Sequence, residues 1–370
     1  MKKKKLFDLS PVDKTGCNYK MLIGMRSRGK SYEVKFKALK RAYKEGIKIA
    51  YIRRFDSDLK QAFVTSYFDD MKEASNGYKA VNDITGGEWE GVEAYQQYLY
   101  WFRTNEEGKK ERSPEPIGRY FALNVNARYK SQSFVNYKMI IFEEMLTDEV
   151  YLDDEPTRLL NLISTICRDD DKDVDIYLIG NKLSRISPYF SEWNLQGVPF
   201  QKPSTVDIYN LERMDGSTIR FAVYNTESIN TKSKLFFGQA QRQIQGNEWD
   251  VKEVPHLEKP LQFYEKLYAC FVKYTSFTFK VLLLADPDTG GIITYIYPAP
   301  KIAQRQQIKK NTRVITDKFS TNIFRTPTFK TSIRPEALII DCFKNGRVCY
   351  SDNLTGADFN NLRASYEMGV

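Results

Sequence analysis

A single histidine, His256, stands among 370 residues. That scarcity excludes His-rich metal sites and any Ser-His catalytic arrangement with a convincing partner. Following Pro255 in a polar stretch, His256 reads as an ordinary surface side chain. Cysteine is sparse too. Cys17, Cys167, Cys270, Cys342 and Cys349 form no C-x-x-C pair, so neither a zinc site nor a disulfide framework is spelled, and the odd, scattered set fits reduced thiols. No apolar run approaches the roughly 18 residues of a membrane-spanning helix. Nor does an apolar stretch follow Met1-Lys2-Lys3-Lys4-Lys5, as a signal peptide requires, so a cytoplasmic protein with no membrane partner is expected. What is present is a globular composition, 42% hydrophobic and 14% aromatic, which excludes wholesale disorder. The length suits two or three domains with real cores. A net charge of +9 favours a polyanionic partner, since neutralising phosphates is the main sequence-independent source of nucleic-acid affinity; a generally basic soluble surface gives the same balance.

Residues Gly24-Met25-Arg26-Ser27-Arg28-Gly29-Lys30-Ser31 spell G-x-x-x-x-G-K-S. Backbone N–H groups of such a loop wrap the phosphates of a nucleotide, Lys30 reaches the terminal phosphates, and the Ser31 hydroxyl sits on Mg²⁺. Four fixed positions recur by chance in roughly one chain in a hundred of this length, so the context decides. Tyr19–Ile23 reads as a short apolar strand entering the loop. Tyr32, Phe36, Leu39 and Tyr43 follow at helical spacing until Gly46 stops the helix. Strand, loop and helix are the required frame, because the helix N-terminus adds its dipole to the cradle. A nucleoside triphosphate, ATP with Mg²⁺, is the expected ligand, and Arg26 and Arg28 either approach phosphate or face solvent.

Further strands are expected at Ile47–Ile52, Tyr137–Phe142 and Asp175–Gly180, with a helix over Glu155–Arg168 and polar, helix-leaning sequence at 56–80. Tyr98–Arg103 and Gly118–Leu123 flank the charged stretch Thr104–Pro116, which predicts a β-hairpin with a long solvated tip. Alternating strands and helices predict an α/β core with a mostly parallel sheet flanked by helices. The Gln/Asn/Ser/Thr-rich region 198–250 reads as a linker between a first domain at 1–197 and a last one at 251–370. In that last domain Tyr264–Thr275, Phe277–Ala285 and Ile292–Tyr297 read as strands, with a hairpin turn at Asp286–Gly291.

A phosphate loop needs an acid at the end of a neighbouring apolar strand. Met139-Ile140-Ile141-Phe142-Glu143-Glu144 supplies two. Glu143 is placed to hold the metal ion, directly or through water, and Glu144 to polarise the attacking water as general base. A dedicated water-activating carboxylate favours hydrolysis over transfer to a metabolite, hence an ATPase. Asn181 closes the next apolar strand, either sensing the γ-phosphate or forming an ordinary turn. Arg168 ends the preceding helix beside the acidic turn Asp169–Asp173, as a C-terminal cation on the dipole or as an arginine finger entering a neighbouring subunit.

In their order and spacing, IGMRSRGKS, YIRRF, IIFEE, LLNLISTICR and LIGNKLSRISPYF resemble the genome-packaging ATPases of phi29-like tailed bacteriophages, well over about 18–195 and weakly beyond. The resemblance implies an additional-strand, catalytic-glutamate (ASCE-type) P-loop NTPase core. It also implies a small linker domain and a smaller β-rich α+β C-terminal domain like a vestigial RNase H-like nuclease. It implies a homopentameric ring in the host cytoplasm, transiently at the portal (connector) of a preformed capsid, that drives double-stranded DNA inward, with packaging RNA as a further partner. Gly24, Gly29, Lys30 and Ser31 match the phosphate loop, Glu143 the metal-binding acid, Glu144 the catalytic glutamate, Asn181 the sensor-like Asn and Arg53-Arg54 the paired arginines. Arg168 matches the trans-acting finger, which favours that role over the helix cap. Glu at 143, where Asp is usual, and Asp56 and Asp58 after the arginines are departures. Asp286, Asp288, Asp341, Asp352 and Asp358 have no obvious common focus in sequence, so nuclease activity is not expected. Basic clusters at Lys301–Arg305, Lys309–Arg313 and Lys330–Arg334 offer a face for DNA, packaging RNA or portal. A P-loop helicase or recombination ATPase, and a scaffold with a vestigial loop, are the competing readings.

Overall fold

The first strand, β1 (Tyr19–Gly24), is buried along nearly its whole length and delivers the chain to the glycine-rich loop. In the computed structural model, residues 7–25, 29–147, 151–168, 173–226, 249, 251–274, 277–299, 314–316 and 334–365 are described. Arg26, Ser27 and Arg28 lie outside them, as do the basic clusters beyond residue 300 except Arg334. The chain divides into two units, one of 1–147, 151–182 and 200–248, the other of 148–150, 183–199 and 249–370.

In the first unit the helix Lys30–Glu45 follows the loop and ends at Gly46, whose φ of +67° an L side chain resists. Then come β2 (Lys48–Arg53), β3 (Gly91–Tyr95), β4 (Tyr98–Thr104), β5 (Lys110–Arg112), β6 (Gly118–Ala122), β7 (Tyr137–Glu143), β8 (Asp175–Asn181), β9 (Thr205–Glu212) and β10 (Thr218–Asn225). They form one sheet in the order β3-β4-β6-β2-β7-β8-β1-β10-β9, with β5 on β4. The six strands from β6 to β10 are mutually parallel, and antiparallel strands close both edges. A parallel strand covered on both faces must be apolar throughout. In β7, Met139, Ile140, Ile141 and Phe142 are wholly buried, each worth about 1.5–3 kcal/mol of apolar burial. The sheet is thus mostly parallel with antiparallel edges, the layout of an α/β domain.

Two expectations differ from the structure. The hairpin expected between Tyr98–Arg103 and Gly118–Leu123 is only a short antiparallel contact, because β4 pairs along its length with β3 and at its end with β5. No strand is evident in GVEAY because Glu93 interrupts it; Glu93 is nevertheless buried, neutralised by Lys110 and Arg112. The polar stretch read as a linker holds β9 and β10, which extend the large sheet from β1. Edge strand β9 alternates half-buried and exposed residues, a pattern whose polar composition resembles a linker. Conversely, 183–199 fall with the second unit.

The second unit has a sheet of β11 (Glu265–Tyr274), β12 (Phe277–Ala285), β13 (Ile292–Pro298), β14 (Val314–Thr316) and β15 (Val348–Tyr350), ordered β14-β11-β12-β13-β15. An antiparallel meander is flanked by a parallel strand at each edge. Val272, Val281, Leu283 and Ile296 pack with Ile339 and Cys342 of the helix Arg334–Lys344 and with Phe359 and Leu362 of the helix Asn353–Ser365. This is a small α+β architecture. The expected turn at Asp286–Gly291 joins β12 and β13.

Candidate nucleotide site

Strand β8 lies between β1 and β7 and sets the register of everything that follows. Gly24 is level with Asn181, and Glu143 with Ile179. The loop, the acids and the polar strand end therefore open on one rim, the carboxyl ends of adjacent parallel strands, where open α/β sheets place ligands. A cleft of about 640 Å³ occupies this rim, lined by Gly29, Lys30, Ser31, Arg53, Tyr67, Asp70, Glu143, Glu144 and Asn181 among others.

Gly29 turns the chain into the helix at φ +79°. The first N–H groups of the helix have no intrahelical acceptor and face the cleft as an anion cradle. Lys30 is buried; its amino group donates to the Met25 carbonyl at 2.6 Å and reaches Asn181 Oδ1 at 3.5 Å. Gly24 is needed for close approach: a Cβ there would lie 1.8 Å from Thr226 Oγ1.

Glu143 ends β7 almost wholly buried. The Tyr67 hydroxyl donates to its Oε1 at 2.7 Å, and the Tyr67 ring stacks on Tyr51 at 4.5 Å. Burial, then the Glu143 charge, hold the Tyr67 phenol well above its ordinary range, so it remains a donor. Lys35 pairs with Asp70 at 2.6 Å and lies 4.3 Å from the Tyr67 ring; burial lowers its pKa against the pull of Asp70. Glu144 leaves the ladder. Its φ is +56°, and pairing resumes where Met145 N–H donates to the Ile179 carbonyl at 3.0 Å, so Glu144 bulges toward solvent.

Both arginines of YIRRF meet that bulge. Arg53 donates to the Glu144 carboxylate at 2.6 Å. Arg54 is buried, forks onto Glu155 at 2.7 and 3.0 Å, and donates to the Glu144 and Met145 carbonyls at 3.1 and 2.8 Å. Asp58 lies 3.6 Å from Arg53. Tyr67 and Asp70 of the cleft lining escaped sequence reasoning, and Arg53 was marked only through the resemblance, as one of the paired arginines.

The donor set suits a magnesium nucleotide. Ser31 and Glu143 offer hard oxygens on one cleft, and Mg²⁺ takes one or two such ligands plus phosphate and water. Among the described residues no group of three or more His, Cys, Asp or Glu could hold a metal without help.

Arg168 is elsewhere. It is exposed beyond the helix Glu155–Ile166, donates to the Lys130 carbonyl at 3.1 Å, and lines a separate hollow with Tyr19, Ile176 and Arg213. That hollow adjoins the amino ends of β1 and β8, about 20 Å along the strands from Gly24 and Asn181. Within one chain the structure does not bring Arg168 to Lys30. In the second unit the singled-out acids have contacts of different kinds rather than one shared focus. Asp286 and Asp288 of the hairpin turn both face Lys259, Asp341 pairs with Arg347, Asp352 accepts from Thr355 N–H, and Asp358 lies 3.3 Å from Arg185. His256 is exposed, its ring 2.9 Å from the Tyr350 carbonyl and 3.0 Å from Asn353 Oδ1. The five cysteines are free thiols. Among the described residues no helix is long and apolar enough to cross a membrane.

No family model matches the chain. Over 177 residues, 47% of its length, it is 28% identical to the DNA packaging proteins of Bacillus phages phi29 and PZA. The match covers 46% of each, so it spans about half the length of these curated relatives. Among solved structures, the chain from the bacteriophage Phi-29 viral genome packaging motor assembly is similar over 96% of this chain and 98% of its own, with a TM-score of 0.53 at 18% identity. The Phi-28 DNA packaging motor is similar over 100% and 99%, with a TM-score of 0.52 at 15% identity. At those identities the shared feature is the fold. The resemblance carried by the five sequence strings thus finds its counterpart in the packaging proteins of phi29-like phages.

Proposed function

We propose that this chain is the ATP-hydrolysing subunit of a motor that drives double-stranded DNA into a phage capsid. The observation carrying the reading is the convergence of the phosphate loop, the Glu143-Glu144 pair and Asn181 at the carboxyl ends of three adjacent strands. The strand inserted between the loop strand and the acid strand supports the additional-strand, catalytic-glutamate class. Similarity to phage DNA packaging proteins and a net charge of +9 support DNA as the cargo.

In this reading the N–H groups at the start of the helix Lys30–Glu45 and the Lys30 ammonium hold the phosphates of ATP. Ser31 and Glu143 would hold Mg²⁺, which would supply positive charge beside the phosphate oxygens. Glu144 accepts a proton from the attacking water, Asn181 orients that water, and Arg53 must first release the Glu144 carboxylate. Arg168 completes the site of the next subunit in a homopentameric ring at the portal. The second unit, whose ancestry is nuclease-like without nuclease activity, contacts DNA or portal.

Glu144→Gln tests the chemistry. The variant should bind Mg-ATP within about two-fold of wild type while turnover falls by at least about 100-fold, the usual share of a general base. Undiminished hydrolysis would refute the role. Turnover should rise with duplex DNA and leave the strands paired; strand separation would favour a helicase instead.

A further inference from the structure

Thr226 follows β10 directly and is fully buried, yet its hydroxyl has no hydrogen-bond partner among the described residues. An unpaired buried hydroxyl is a cost that folded chains avoid, so each instance calls for a cause. Its position is not loose. Thr226 N–H donates to the Ile23 carbonyl at 2.8 Å, extending the β1–β10 ladder by one residue toward the phosphate loop. The side chain then lies against the bare face of Gly24. A Cβ at position 24 would sit 1.8 Å from Thr226 Oγ1 and 3.7 Å from Lys30 Nζ. The hydroxyl and the ammonium therefore flank the same glycine. Lys30 is itself buried, its ammonium held on the Met25 carbonyl at 2.6 Å.

We propose that Thr226 is a phosphate-binding residue, its hydroxyl donating to an oxygen of the bound nucleotide beside the Lys30 ammonium. The inference rests on the nucleotide-binding reading of the cleft and adds a ligand from a strand outside the G-x-x-x-x-G-K-S sequence. It accounts for two features together: a hydroxyl left unpaired among the described residues, and a glycine at position 24, where a Cβ would displace that hydroxyl.

Calorimetric titration of the full chain with ADP and with inorganic pyrophosphate decides the matter. Thr226→Val keeps the shape and removes the hydroxyl, whereas Thr226→Ser keeps it. The Val variant should bind both probes about ten-fold more weakly or worse, the loss expected for one hydrogen bond to a charged group. The Ser variant should stay within about three-fold of wild type, and the ligand-free melting temperature of the Val variant should not fall. Should the Val variant prove insoluble, Thr226→Ala against Thr226→Ser gives the same comparison. Val binding within two-fold of wild type overturns the inference while leaving the nucleotide site intact, as does weakening toward ADP alone, which would put the hydroxyl at the nucleoside end. Wild-type protein that binds neither probe overturns the nucleotide reading and this inference with it.

Discussion

Glu144 holds a left-handed backbone, φ +56°, a conformation that costs a non-glycine residue about 1–3 kcal/mol unless its surroundings over-determine it. Here they do. Arg54 grips its carbonyl and Arg53 its carboxylate. The acid itself was singled out from IIFEE, because a buried strand seldom ends in two unpaired carboxylates without purpose. Its arginine clamp and the tyrosine on Glu143 were not, since those partners lie 91 and 76 residues away in sequence. Another acid makes a pH prediction. Burial lifts the Asp358 carboxyl from 3.8 to about 7, with Arg185 opposing and Asp352 adding to the rise. A raised acid binds its proton more tightly folded than unfolded. Its contribution is therefore fully present below about pH 4 and is lost as pH climbs through about 7, by up to about 1.4 kcal/mol per pH unit within that window. Urea unfolding at pH 5 and pH 7.5 should show that loss in wild type and a flatter profile in Asp358→Asn. Identical profiles would mean that Asp358 does not titrate there.

At the scale of elements, β2 and β6 come unusually close. A Cβ at Gly118 would lie 2.3 Å from the Ile49 carbonyl oxygen, a backbone atom that cannot swing aside. Gly118→Ala should destabilise the first unit by about 1–3 kcal/mol through strand separation. A thermal melt unchanged within error would show that the ladder yields more readily than the geometry implies. The same strands mark where pattern reading succeeds. Apolar runs bounded by glycine and charge located β1, β2, β7 and β8 to within a residue or two, because parallel strands covered on both faces tolerate little else. β3 and β9 escaped because each is defined by its partner. Glu93 is acceptable in β3 only once Lys110 and Arg112 arrive, and β9 is half exposed.

For the whole molecule, the position of Arg168 governs the prediction. It stands at the amino ends of the strands whose carboxyl ends carry Lys30, so one chain cannot supply both to one site. If Arg168 serves a neighbour, Arg168→Ala and Lys30→Ala proteins, each inactive alone, should recover part of the turnover when mixed, since mixed rings contain some intact interfaces. Mixtures that stay inactive at every ratio would leave Arg168 a helix-end cation. The same measurement would report on ring assembly, because recovery depends on subunits meeting.

By itself the chain's order of residues determined which groups could grip phosphate and activate water, since those chemistries demand particular side chains at short spacings along a strand end or loop. Only the tertiary structure decided which of them share a cleft. Register between strands joined through long intervening segments places Asn181 level with Gly24, Arg53 on Glu144 and Thr226 behind Gly24, and sends Arg168 to the opposite rim. Such register is a property of the packed sheet as a whole, and no local spacing encodes it.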